Sequence, residues 1–262
     1  MNRRTFVKTL PALTLLAGAA SSLAQNAGYN STPGASSSVP DTNKPSSPAA
    51  PELPPITLVK PQIDGGKSVL ASLRERKTNR NISPEKLSPQ MLSSLLWAAF
   101  GVNRENGPSG RSGRTAASAS NSQEIDIYVA LAEGIYLYDA VPHRLTPVVA
   151  GDLRAKAGGR GRGGAAAQAP VNLIYVVDLA KYSQAPFQEP GLKDPEIQKS
   201  YYFTDTGLIA GNVYLFAASQ GLAAWFHNCN KPGLAADLKL GPEQRVLFAQ
   251  TVGYPAQSQP PR

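Results

Sequence analysis

Residues 88–101 read Ser88-Pro89-Gln90-Met91-Leu92-Ser93-Ser94-Leu95-Leu96-Trp97-Ala98-Ala99-Phe100-Gly101. A serine before a proline marks a helix start: the hydroxyl can accept from first-turn amides, and proline's fixed φ suits the first helical position. Leu92, Leu95, Leu96 and Ala99 recur at three- and four-residue spacings, so they share one face. Gly101 stands where the helix should end. The spacing predicts an amphipathic helix that begins at Pro89 and stops before Gly101.

On the N-terminal side of this helix the globular part begins near Ser68. Val69, Leu70 and Leu73 there suggest a short helix leading into the basic run Arg74-Glu75-Arg76-Lys77-Thr78-Asn79-Arg80. On the C-terminal side Ile125, Ile127, Val129 and Leu131 alternate with Asp126, Tyr128 and Ala130. After Glu133-Gly134 the strand-like run Ile135-Tyr136-Leu137-Tyr138 follows, which predicts a hairpin. Residues 171–177 are almost continuously apolar and suit a buried central strand, and 245–252 suit a similar terminal strand. Between them, 206–220 is the most apolar helix candidate, closed by Gly221, and is expected to be the buried central helix. Helices and strands mixed without regular βαβ alternation define an α+β class.

The first residues carry a different message. Arg3-Arg4, then Phe6 and Lys8, precede a small and apolar stretch from Thr9 to Ala20, and Ser22-Leu23-Ala24 supplies small residues for cleavage. The order resembles a twin-arginine (Tat) export signal over 1–24, cut after Ala24. The apolar stretch is shorter than the roughly 20 residues a membrane span needs, so no stable anchor is expected. Residues 25–60 are crowded with Ser, Pro and Ala and lack apolar periodicity, which reads as a disordered tether. Residues 61–262 form the expected single domain. The net charge of +8 falls to +5 without Arg3, Arg4 and Lys8, a mild excess that does not imply nucleic acid. The one cysteine, Cys229, excludes an intramolecular disulfide despite an oxidising destination. The expected location is therefore periplasmic or otherwise exported, reached through the Tat machinery after folding.

Several chemical signals lack the context that gives them meaning. Residues 159–164 satisfy G-x-G-x-x-G, yet no strand precedes them and no helix pattern follows. Gly66-Lys67-Ser68 lacks the leading glycine of a phosphate loop, because Pro61 stands there. His143, His227 and Cys229 are too few soft donors for zinc, which takes about four ligands, so no metal is expected. What remains is distributed. Arg76-x-Thr78-x-Arg80 can grip a phosphate with forked, charge-assisted hydrogen bonds, although a solvated basic turn has the same sequence. Ser118, Asn121 and Gln123, in a run of small residues before the first strand, could let a planar ligand approach the backbone, or could form an ordinary polar loop.

The order of these pieces resembles the nitroreductase superfamily, particularly its SagB-type dehydrogenase branch. Leu73 to Arg80 is similar to L-x-x-R-x-S-x-R, with Thr78 for the serine. Leu95 to Arg104 is close to L-L-W-A-A-x-G-x-N-R, and Arg114 to Gln123 resembles R-T-x-P-S-x-x-N-x-Q. Gly134-Ile135-Tyr136-x-Tyr138-Asp139, Asp205-x-Gly207 through Asn212, and Gly253-Tyr254-Pro255 follow in order. The resemblance implies an α+β homodimer with a central, mostly antiparallel sheet wrapped by helices and FMN at the subunit interface. It implies two-electron (hydride) transfer to or from a small-molecule substrate. Arg76, Lys77, Thr78, Arg80 and Arg262 would meet the phosphate, and Ser118, Asn121 and Gln123 the ribityl chain or ring. A loop of Trp225, Phe226, His227 and Asn228 would lie against the flavin.

The sequence also departs from the family. Ala117 and Glu124 replace two prolines, and the 223–230 segment lacks the Pro-x-Glu-Gly of nitroreductases that use nicotinamide cofactors. No catalytic residue is assigned. A flavin-binding member without turnover, acting as a carrier or partner-binding module, is the alternative reading. A surface protein without flavin is a third. His227 and Cys229 are read as packed or solvated before they are read as catalytic.

Overall fold

A computed structural model describes residues 53–107, 110–158 and 165–256. The expected signal, the tether before Leu53, the glycine-rich 159–164 segment and Arg262 lie outside the described residues. In chain order the elements are β1 (Ile56–Thr57), α1 (Val69–Glu75), α2 (Pro89–Phe100), β2 (Val102–Arg104), β3 (Gly113–Arg114), β4 (Ile125–Ala130), β5 (Gly134–Asp139) and β6 (Arg144–Ala150). There follow α3 (Arg154–Ala157), α4 (Ala165–Gln168), β7 (Val171–Asp178), α5 (Pro195–Gln220), β8 (Ala223–His227), α6 (Lys231–Asp237) and β9 (Gln244–Gly253). Seven strands make one sheet, ordered β1-β6-β5-β4-β7-β9-β8, with antiparallel pairing throughout. β2 and β3 form a separate two-stranded ribbon.

Both faces of the sheet are covered, which explains the near-continuous apolar run of β7. Ile127, Val129, Leu173 and Tyr175 face a core shared with Leu95, Leu96 and Ala99 of α2 and Ile209 and Val213 of α5. Tyr128, Ala130, Ile174 and Val176 face a second core with Leu234 of α6. The hairpin forms as expected, with Tyr128 opposite Leu137 and Ala130 opposite Ile135. In α2 the Ser88 hydroxyl accepts from Met91 N–H at 3.2 Å. Gly101 ends α2 with an ordinary φ of −70°, so close approach rather than backbone handedness demands glycine there. A Cβ at Gly101 would sit 2.7 Å from the Trp97 backbone.

Three expectations change. The central helix starts at Pro195 rather than Thr206, because Asp194 caps it by accepting from Glu196 and Ile197 N–H and Pro195 occupies its first turn. Its first turns carry Glu196, Gln198 and Lys199, which hid them from an apolar criterion. The helix ends as expected at Gly221, whose φ of 71° is left-handed. The tether reading does not extend to β1: Ile56 pairs with Leu145, and Leu53 and Ile56 pack on the core. The segment expected as a loop around Trp225 is β8, an edge strand paired with β9 from Ala223 to His227.

Candidate functional site

The segment after α1 runs along the free side of β8. Asn79 N–H donates to Ala224 O at 2.9 Å, and Ile82 bridges to Pro255. In this extended stretch, alternate side chains share a side. Arg76 stacks over the Tyr214 ring at 5.5 Å, Thr78 Oγ1 lies 3.1 Å from the Tyr214 hydroxyl, and Arg80 stacks over Trp225 at 5.3 Å. Lys77 is out of phase and instead lines a cleft of about 430 Å³ with Lys67, Arg74, Asn79 and Tyr214. Arg76, Lys77 and Arg80 are exposed, and none has a carboxylate within salt-bridge distance among the described residues.

Tyr214, which sequence reasoning missed, joins the pieces. Its hydroxyl accepts Phe226 N–H at 2.8 Å, tying α5 to β8. If it donates its own proton to Thr78 Oγ1, the Thr78 O–H remains available to an outside acceptor. Two guanidinium groups, held over aromatic rings and flanking the Thr78 hydroxyl, make an exposed anion cradle of the kind that forked donors build around phosphate.

The Trp225–Asn228 candidates separate by strand alternation. Trp225, His227 and Asn228 line a cleft of about 420 Å³ together with Cys229 and Lys231. Phe226 points to the other face and packs against Phe248 and Tyr175, at 4.9 and 6.1 Å between ring centroids. His227 is buried; Nδ1 lies 2.8 Å from Asn228 O and Nε2 lies 2.7 Å from the Thr251 hydroxyl. A carbonyl only accepts, so Nδ1 carries the proton of the neutral ring, and burial holds the His227 pKa below its ordinary value. Burial pushes the Cys229 thiol up to about 11, which keeps it protonated and inert at neutral pH. His143 is likewise engaged, between Ser93 Oγ at 2.8 Å and the Tyr138 hydroxyl at 3.0 Å.

Ser118, Asn121 and Gln123 form a second, internally bonded group. Ser118 Oγ accepts Gln123 N–H at 3.0 Å, and Gln123 Nε2 donates to Asn121 Oδ1 at 2.9 Å. Ser120, Asn121 and Gln123 all have φ between 52° and 53°, with right-handed Ser122 between them, so the loop holds three left-handed residues, costly for L side chains and held by its own bonds. Ala119 N–H donates to Asp205 Oδ2 at 2.8 Å, fixing the loop to α5. Asp205 and Tyr214 are nine positions apart, which at ~100° per residue places them on opposite faces of the helix. One subunit therefore presents the arginine cradle and the Asn121 loop on different sides of α5.

The fold and the paired clusters define a class, and comparison with known proteins supplies the family. The sequence matches the Nitroreductase family model over residues 73–254, and the chain belongs to that family. Members of this family are flavin-dependent oxidoreductases. The structure is similar to that of a protein of Ralstonia eutropha JMP134 described as a nitroreductase, at 34% identity and TM-score 0.68, covering 78% of this chain and 90% of that one. It shares its fold with an Anabaena variabilis ATCC 29413 protein also described as a nitroreductase, at 17% identity and TM-score 0.60, covering 77% of this chain and 42% of the other. It also shares its fold with a chain of the E. coli microcin synthetase McbBCD complex bound to truncated pro-MccB17, at 17% identity and TM-score 0.55, covering 75% and 76%. No curated protein sequence matches the chain.

Proposed function

We propose that this chain is an exported, FMN-dependent oxidoreductase that works as a homodimer on a small organic substrate. The observation that carries the reading is the cradle of Arg76, Thr78 and Arg80. Exposed cations without carboxylate partners among the described residues, beside a hydroxyl that can donate outward when Tyr214 donates to it, suit a phosphate monoester. Bound there, FMN would supply reversible two-electron chemistry as hydride transfer at its ring. The protein's own part is to anchor the phosphate at Arg76 and Arg80 and to orient it through Thr78. Trp225 and the neutral His227 shape a cleft next to Arg80, with Lys231 as its charged rim, where a small substrate could bind. Neither Cys229 nor His227 is needed as an acid or nucleophile in this scheme.

The placement of the second cluster supports a dimer. Ser118, Asn121 and Gln123 lie on the opposite side of α5 from Tyr214, so a second copy is required for both clusters to meet one ligand. The outward face of α5 is suited to that copy. Phe203 and Leu208 are exposed there at 39% and 45%, and no atom from outside the helix lies within 4 Å of a Cβ built on Gly207 or Gly211. Small residues one turn apart let a facing helix approach closely, and the flanking apolar side chains supply area to bury. Export rests on Arg3-Arg4 and the cleavage site after Ala24. A signal that carries folded proteins accords with a flavin loaded in the cytoplasm, and the scarcity of nicotinamide cofactors outside the cell interior leaves the electron donor unassigned.

The purified protein should be yellow and release FMN on heating. A colourless protein whose melting temperature does not rise with added FMN refutes the reading. Bound flavin that can be photoreduced, yet is reoxidised by no quinone, nitroaromatic or oxygen, would favour the carrier reading instead.

A further inference from the structure

The central sheet is split at one place. The β4–β5 ladder stops at Tyr128 opposite Leu137, so Ile125, Asp126 and Ile127 have no partner on β5, while Tyr138 and Asp139 turn to β6 alone. A cavity of about 380 Å³ fills the split and is lined by three cations, Arg114, Arg144 and Lys181, and two carboxylates, Asp126 and Asp139, beside Gln123. Two of its cations are neutralised locally: Lys181 pairs with Asp126 at 2.5 Å and Arg144 with Asp139 at 3.5 Å. Arg114 is not. Its Nε donates to Gln123 Oε1 at 2.8 Å and its Nη1 to Phe100 O at 3.4 Å, both neutral acceptors, and Nη2 has no acceptor among the described residues. The guanidinium also lies over the Phe100 ring at 5.3 Å, an apolar wall that fixes its plane. Burial holds its pKa below the ordinary value, and the charges of Asp139 and Asp126, which act on it from beyond ion-pair contact, offset only part of that cost.

We propose that this split is a binding site for a small molecule bearing a carboxylate, which pairs with the free edge of Arg114. A partly buried guanidinium that no carboxylate contacts directly is costly, and a planar carboxylate matches its fork with two parallel hydrogen bonds. Ile125 to Ile127 pair with β7 on one side, and their backbone on the β5 side offers further polar groups to such a ligand, while Phe100, Ile125 and Ile127 accept its apolar body. The site lies apart from the arginine cradle, yet Gln123 belongs to both the cavity wall and the Asn121 loop. Occupancy would therefore bear on the loop directly.

The test is calorimetric titration of the purified protein with sodium benzoate, with sodium chloride at equal ionic strength and sodium sulfate as comparisons. Saturable benzoate binding is expected, absent with chloride. Arg114→Gln should weaken it about 10- to 100-fold, the loss of a charge-assisted pair. Because Arg114 also steadies Gln123, Thr146→Leu serves as the second variant: it fills the cavity from β6, leaves every charged group in place, and should block benzoate while circular dichroism stays unchanged. Absence of saturable benzoate binding, or binding unchanged in Thr146→Leu, overturns the site. Sulfate bound as tightly as benzoate overturns the carboxylate assignment.

Discussion

Replacing Asp205 with asparagine would keep the shape of a buried junction and remove its charge. Asp205 is 5% exposed on the inner face of α5, accepts Ala119 N–H, and neighbours the fully buried Glu124. Burial first, and the negative charge of Glu124 second, push the Asp205 carboxyl from 3.8 up to about 7. A rise of about three units, at ~1.4 kcal/mol each, separates its protonated and ionised forms by roughly 4 kcal/mol. The folded value lies above the unfolded one, so the native state holds the proton more tightly. The stability this confers is complete below about pH 4 and is lost as pH rises through about 7. In the variant, the asparagine carbonyl still accepts from Ala119, and its amide can donate to Glu124 Oε1, which is buried and without a hydrogen-bond partner among the described residues. Asp205→Asn should therefore match the wild type near pH 4 and exceed it by up to about 4 kcal/mol above pH 7. Urea unfolding across that range reads both slopes. A variant whose stability follows pH in parallel with the wild type, or which is weaker above pH 7, would refute the account.

Other consequences can be measured on the same preparation. Arg76→Glu with Arg80→Glu reverses the charge of the cradle and should abolish FMN binding; equilibrium dialysis showing unchanged affinity would make both arginines bystanders. Tyr214→Phe leaves Phe226 N–H without its acceptor and frees Thr78, so a loss of about 1–3 kcal/mol in unfolding free energy is expected together with weaker flavin retention. Gly207→Arg should shift the light-scattering mass to that of one chain and reduce FMN affinity with it; loss of the dimer with flavin binding intact would show that one subunit holds the cofactor alone. Lysine in place of both Arg3 and Arg4 should trap the protein in the cytoplasm, as fractionation would show, and export continuing unchanged would rule out the twin-arginine route.

Local features were legible in the sequence, and features made by distant residues were not. Ser88-Pro89 announced α2 because capping is decided within one turn, and the β4–β5 hairpin showed in alternation around Glu133-Gly134. The sequence of β8 suggests a loop because the strand is short and an edge strand is defined by its partner, β9, rather than by its own composition. A loop would leave Phe226 at the cleft with its neighbours, where strand alternation sends it to the opposite face. Tyr214 carries no motif of its own; its role arises because Thr78 and Phe226 arrive from different parts of the chain. Arg114 stands inside a recognised motif, yet its lack of a direct ion pair depends on how Asp126 and Asp139 pair with Lys181 and Arg144.

The strand order has a consequence for when the molecule becomes whole. β9 follows every other strand in the chain, yet it is an interior member of the sheet, inserted between β7 and β8. Until it docks, β8 has no strand to pair with, and Trp225 and His227 are held by nothing in the sheet. Arg80 then lacks its aromatic support, and the Tyr214 hydroxyl has no fixed amide to accept. Assembly of the cleft is thus a late, all-or-none event, completed only after synthesis has passed Gly253 and made long-range contacts whose loop-closure cost is met at the end.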